Sequence, residues 1–251
     1  MPTIPLHLDF LRQQIRRIEA GERVARGVLP FGVPEIDACL PAGGLALGAL
    51  HEVAGGGNGA LDGAAAALFA AGILARTQGS VLWCAGRRDL FAPALALAGL
   101  HPDRVIYAEA GTEKAILACF EEGLRHGGLA GVVAEVARLA MTPSRRLQLA
   151  AETTGTIGIA IRRWRRPAEA ADFGQPTAST TRWRVTALPT MPLPVPGIGR
   201  PRWLVELIRA RAGECAEFEV DGCDEEGRIA VSAKLVHGPV AADARRERAI
   251  A

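Results

Sequence analysis

At 251 residues, 49% of them hydrophobic and 22% charged, the chain is long enough to bury a substantial core and sits at the upper end of single-domain size. Its net charge of +2 is too small to announce a nucleic-acid partner by itself, and it has no run of about 18 uncharged apolar residues that would span a bilayer. Met1 to Phe10 lack the basic start and apolar core of a secretory signal, so a soluble cytoplasmic protein without a membrane partner is expected.

Leu8, Leu11, Ile15 and Ile18 recur at spacings of three and four with Arg12, Arg16 and Arg17 between them, which predicts an amphipathic helix over Leu6 to Gly21. Residues 1–27 are thus read as a helix and linker, 28–238 as one core domain, and 239–251 as a polar tail. The Pro and Gly punctuation from Val28 to Leu50 predicts turns around one short helix near Glu35 to Cys39. A strand over Leu50 to Val53 then runs into Gly55, Gly56, Gly57, Asn58 and Gly59, followed by an Ala-rich helix from about Asp62 to Thr77.

From there strands and helices alternate. Strands are predicted at Ser80 to Cys84, Val105 to Tyr107, Gly131 to Glu135 and Thr156 to Ile161; helices at Phe91 to Leu100, Thr112 to His126 and Pro143 to Thr154. Nearly all-apolar strands separated by helices indicate an α/β domain: a mostly parallel sheet with helices on both faces. A further strand is predicted at Thr181 to Ala187, followed by the proline-rich stretch Pro189 to Pro201, and two alternating runs at Trp203 to Ala210 and Arg228 to Leu235 predict antiparallel strands appended to the sheet.

Strand, glycine turn and helix form the scaffold of a phosphate site, because loop amides and the helix N-terminus both face the anion. A working loop also needs a Lys at the phosphates and a Ser or Thr on magnesium. Here Ala60, Leu61 and Asp62 follow Gly59. Leu61 brings no charge and Asp62 brings the wrong one, so Gly55, Gly56, Gly57, Asn58, Gly59, Leu61 and Asp62 read as a degenerate phosphate loop without nucleotide, cofactor or metal.

Arg dominates the positive charge, since Lys occurs only at Lys114 and Lys234; a GC-rich genome alone would produce the same bias. The Arg residues gather at Arg162, Arg163, Trp164, Arg165 and Arg166, and again with Arg182, Trp183 and Arg184. Arg on phosphates and Trp on bases would bind single-stranded DNA; a solvated loop with its Trp folded back and a partner-binding surface are the other two readings. Cys39, Cys84, Cys119, Cys215 and Cys223 lack CxxC spacing and read as structural thiols rather than a disulfide framework or metal site.

Leu29 to Asp62 follows the order found in RecA: a short helix, Ala42-Gly43-Gly44-Leu45, a strand carrying Glu52, then the phosphate loop. RecA-type ATPases place a water-activating acid after the next strand, but here that strand leads into Ala85-Gly86-Arg87-Arg88. Where an Asp would hold magnesium the chain reads Val132-Val133-Ala134-Glu135, with Glu135 one place late and expected on the opposite face. Phe173-Gly174-Gln175-Pro176-Thr177 resembles the RecA DNA loop, and Ile161-Arg162 stands where RecA carries its phosphate-sensing amide.

With LPFGVPEIDACLPAGGLALGALHEV, Ser144 to Glu152 (SRRLQLAAE) and Thr181 to Val185 (TRWRV), this retained scaffold with an erased active site resembles the ImuA family. The resemblance implies a RecA-like P-loop fold with a degenerate nucleotide site and a non-catalytic role in SOS-induced translesion synthesis. It also implies as partners an ImuB-like inactive polymerase, an error-prone C-family polymerase and, as a further candidate, RecA. The alternatives are a true ATPase with an unconventional loop and a RecA-like cell-division inhibitor, the latter a shorter protein without the C-terminal extension.

Overall fold

The structure, a computed structural model, describes residues 27–57, 59–87, 89–164, 171–190, 197 and 199–231. The predicted N-terminal helix, the polar tail and the run beyond Val231 lie outside the described residues. The strands are β1 (Val28–Leu29), β2 (Leu45–Ala46), β3 (Leu50–Gly55), β4 (Val81–Ala85), β5 (Val105–Glu109), β6 (Gly131–Val136), β7 (Ile157–Arg162), β8 (Thr181–Leu188), β9 (Arg202–Ala210), β10 (Ala216–Asp221) and β11 (Ala230–Val231). The helices are α1 (Pro34–Ala38), α2 (Ala60–Ala75), α3 (Ala92–Leu97), α4 (Glu113–His126) and α5 (Met141–Thr154).

Among the described residues, nine strands make one sheet in the order β11-β10-β9-β8-β3-β7-β6-β4-β5. From β5 to β8 the ladders are parallel, and from β8 outward they are antiparallel. The central β3 pairs in parallel with β7 on one side and β8 on the other, so its C-terminal loop opens where the chain leaves in both directions.

Each face of the sheet buries its own core. On the α2 face, Val53, Trp83, Val133, Ile159, Trp183 and Trp203 pack under Phe69 and Phe31. Ring centroids of Phe31, Phe69 and Trp183 lie 5.4–5.7 Å apart, the separation aromatic pairs prefer. The Ala-rich face of α2 is what lets the helix approach the sheet so closely. On the other face Leu50, Val132, Ala134 and Ala160 meet Phe120, Leu124, Leu147 and Ala151 of α4 and α5.

Helix ends obey local chemistry. Thr112 caps α4 by accepting from Ala115 N at 3.2 Å, and Gly127 and Gly155 close α4 and α5 at φ 71° and 78°. Ser144 and Gln148, in the SRRLQLAAE run, moor α5 to the segment before β8 and to β3: Ala178 N donates to Ser144 Oγ at 2.9 Å, and Leu50 N to Gln148 Oε1 at 2.8 Å. Two expectations change. The third helix is shorter than predicted, because Gly99 at φ 86° turns the chain against Gly227. A strand also stands at Ala216–Asp221, where none is predicted, with Phe218 and Val220 inward.

Candidate functional site

A cleft of about 570 Å³ opens at the C-terminal end of β3, lined by Gly55, Gly57, Gly59, Ala60, Gly63, Arg87, Asp89, Arg162, Arg163 and Trp164. The glycine loop is therefore where the sequence puts it, and α2 begins at Ala60 without a side-chain cap. Two of its residues nevertheless serve the fold. Gly56 N donates to Val185 O at 2.9 Å, and a Cβ at Gly56 would lie 1.8 Å from Thr186 Oγ1, so only glycine lets β8 come this close. Asp62 Oδ1 accepts from Ala187 N at 2.9 Å, which fixes the start of α2 to the end of β8. Leu61 is 77% exposed and offers no charge to the cleft. Asn58 lies outside the described residues.

The acid and base groups of the cleft are already matched with one another. Arg163 forms a fork onto Asp89, Nη1 to Oδ1 at 2.9 Å and Nη2 to Oδ2 at 3.0 Å, and also donates to Glu135 Oε2 at 2.7 Å. Arg87 Nε adds a contact to Asp89 Oδ2 at 3.1 Å. Burial alone would raise the Asp89 carboxyl, but the Arg163 hydrogen bond and the charges of Arg163 and Arg87 outweigh it and hold the group below the usual carboxylate range. Such a carboxylate is a poor proton acceptor for an attacking water.

Glu135, expected to face away, lies on the α2 face: Trp83 Nε1, from the core under α2, donates to Glu135 Oε1 at 3.0 Å. Strand alternation does turn it from Ala134, but toward the glycine-loop side. There Trp83 and Arg163 occupy its two oxygens.

Three of the eight DNA-loop candidates are interior, which corrects the expectation that these three reach a partner or DNA. Trp183 has no exposed surface and belongs to the aromatic core, its Nε1 donating to Thr181 Oγ1 at 2.8 Å. Arg162 and Arg182 converge on Glu52 from either side of β3, with N–O distances of 2.8 and 3.1 Å. The Arg162 and Glu52 side chains are wholly buried. Ser179 Oγ at 2.6 Å and Thr177 Oγ1 complete the donors around Glu52. Strand register creates this cluster: Glu52 is opposite Arg182 in the β3–β8 ladder, and Arg162 is one residue further along β7 than the partner of Val53.

Arg182 also donates to Phe173 O at 2.6 Å and Gln175 O at 2.9 Å, so it ties down the Phe-Gly-Gln-Pro-Thr segment instead of reaching solvent. Phe173 packs beneath the Arg182 and Arg162 guanidiniums at 5.1 and 5.9 Å, and half-buried Trp164 leans on Phe173 at 5.7 Å. Of the remaining candidates, Arg163 is engaged as above and half-exposed Arg184 lies 3.7 Å from Glu206. Arg165 and Arg166 lie outside the described residues. No helix among the described residues is long and apolar enough to cross a membrane.

No protein-family profile matches the chain. Protein ImuA of Caulobacter vibrioides strain NA1000 / CB15N is 43% identical over 206 residues, which is 78% of this chain and 84% of that protein; Protein ImuA of strain ATCC 19089 / CIP 103742 / CB 15 matches equally. Among solved structures, the RadB recombinase covers 80% of this chain and 98% of its own at TM-score 0.51 and 18% identity, which shows a RecA-like fold. SulA from Pseudomonas aeruginosa covers 45% of the chain at TM-score 0.39 and 24% identity. With 43% identity over 206 residues to proteins of which it spans 84%, on a RecA-like sheet, the chain belongs to the ImuA family.

Proposed function

We propose that this protein is a non-catalytic, RecA-like accessory factor in SOS-induced, error-prone translesion DNA synthesis. The observation that carries the reading is the internal pairing of the charges around the glycine loop. Asp89 is clamped by Arg163 and Arg87, Glu135 by Trp83 and Arg163, and Asp62 by the backbone of β8. Together with the absent loop Lys, this commits the charged side chains around the loop to one another, which supports a cleft without triphosphate hydrolysis. Family membership supports the pathway. The partners proposed on the same ground are an ImuB-like inactive polymerase, an error-prone C-family polymerase and RecA, in a cytoplasmic setting.

The test is complementation with a blocked cleft. A side chain is tolerated at Gly59, whose φ is −76° and whose Cβ would have nothing within 4 Å. Gly59→Glu places a carboxylate where phosphates would lie. In a Caulobacter strain lacking its own ImuA, the native chain and Gly59→Glu are expected to restore damage-induced mutation to equal frequency. Failure of Gly59→Glu alone, at equal protein level, would favour the nucleotide-dependent reading. Failure of both would remove the pathway assignment.

A further inference from the structure

The C-terminal end of α1 and the turn between β9 and β10 are pressed together. Glu214 N donates to Cys39 O at 3.1 Å, and a Cβ on Gly213 would come within 2.5 Å of that same oxygen. The turn is further pinched by Ala212, which holds φ 61° despite its side chain. A thiol stands on each side of this contact: Cys39 is the C-cap of α1, and Cys215 directly follows Glu214.

Both thiols are reduced, and each donates to a nearby carbonyl, Cys39 to Glu35 O at 3.3 Å and Cys215 to Ile208 O at 2.9 Å. Cys215 is exposed and Cys39 half-buried. The Cys39 thiol is pushed up by burial and then by the charges of Glu214 and Cys215. The other thiols are worse placed for oxidation. Burial pushes Cys84 and Cys223 up to about 12, and Cys119, the neighbour of Cys84, packs against the α4 side of the core.

We propose that Cys39 and Cys215 form a reversible disulfide when the protein meets a peroxide. The Cys215 thiol releases its proton and the thiolate attacks the peroxide: an S–O bond forms, the O–O bond breaks, and the departing hydroxide takes up the released proton and leaves as water, with the sulfur oxidised to sulfenic acid. Cys39 then attacks that sulfur; the S–S bond forms and the oxygen departs as a second water, carrying the Cys39 proton. In balance, two thiols and one hydrogen peroxide give one disulfide and two waters, with two electrons passing from sulfur to oxygen. A thiol that ionises reluctantly is a poor first nucleophile, but as the second one it gains from being held beside its target. The bond would clasp the segment leading into the glycine-loop strand to the antiparallel extension, closing most of the chain into a loop.

The test uses the full chain with a small excess of hydrogen peroxide, alkylation of free thiols and non-reducing peptide mapping by mass spectrometry. The expected result is an intact mass lower by two hydrogens and a Cys39–Cys215 peptide that dithiothreitol removes. The Tm of the oxidised form should be higher by roughly 5–10 °C. Cys39→Ser and Cys215→Ser should each abolish the link, and Cys84→Ser should leave it intact. A Cys84–Cys119 link, Cys215 carried to sulfinic acid or into an intermolecular disulfide with Cys39 still alkylated, or no oxidation of Cys215, would each overturn the proposal.

Discussion

Burying a carboxylate costs several kcal/mol unless its oxygens and its charge are met, and at Glu52 both are met from three strands or loops at once. Removing the charge while keeping the shape leaves Arg162 and Arg182 facing each other in the interior with no negative charge between them. Glu52→Gln is therefore expected to lower the unfolding free energy by about 3–5 kcal/mol in urea titration. Arg184→Ala, two residues along the same strand as Arg182 but half exposed beside Glu206, should cost only about 0–1 kcal/mol. Equal losses from the two substitutions would show that the Glu52 cluster is no keystone. Asp89 has a pH signature. Its folded pKa is depressed, so its contribution to stability is fully present above the unfolded value of about 3.9 and is lost as pH falls through the folded one. Asp89→Asn should lower Tm near neutral pH and leave it nearly unchanged at the acid end, where Asp89 is already protonated, so that the acid limb of the Tm–pH curve below about pH 4 flattens.

For the elements, the closest approaches in the fold are made by glycines, and α2 contains two with opposite prospects. Gly72 faces the β10–β11 connection, where a Cβ would meet Cys223 Sγ at 2.2 Å and Gly227 O at 3.2 Å; Gly63 has nothing within 4 Å. Gly72→Ala should push the connection off the helix and destabilise by roughly 1–3 kcal/mol. Gly63→Ala should stabilise by roughly 0.5–1 kcal/mol, read from chemical denaturation of both variants, because it relieves the helix of a flexible residue without a clash. The parallel strands and covering helices were legible in the sequence because each carries its own period, and Gly, Pro and Thr mark their ends. The β10 strand was not, since Glu217, Glu219 and Asp221 make its outer face look like loop and only Phe218 and Val220 mark the inner one. The glycine loop was legible as a local string. The burial of Arg162 and Arg182 was not, because it depends on which rung of β3 carries a carboxylate, and register between β3, β7 and β8 is a tertiary fact. Trp183 did carry a signal: in Thr181 to Val185 it shares its parity with Val185 and Thr181, so strand alternation alone puts it opposite Arg182 and Arg184.

At the scale of the whole molecule, the question is whether the cleft still links ligand binding to folding. A cleft of about 570 Å³ beside the uncapped first turn of α2 keeps the shape of a phosphate site, so shape alone is no argument against nucleotide. Charge is what opposes a nucleotide there. A triphosphate entering there would meet Leu61 in place of an ammonium group, with Asp62 and Asp89 nearby, and could recruit Arg163 only by breaking its fork with Asp89 and its bond to Glu135. Any ligand that binds only the folded state stabilises it by mass action, by about 2.7 kcal/mol when present at a hundred times its Kd. For a chain of this size each kcal/mol moves Tm by roughly 2–4 °C, so even modest nucleotide affinity would appear in a thermal melt. Millimolar ATP with magnesium is expected to leave Tm where it is, in the native chain and in Gly59→Glu alike. A rise of several degrees in the native chain that Gly59→Glu abolishes would mean that the backbone cradle binds phosphate without its lysine, and the non-catalytic reading would then have to rest on absent hydrolysis rather than absent binding.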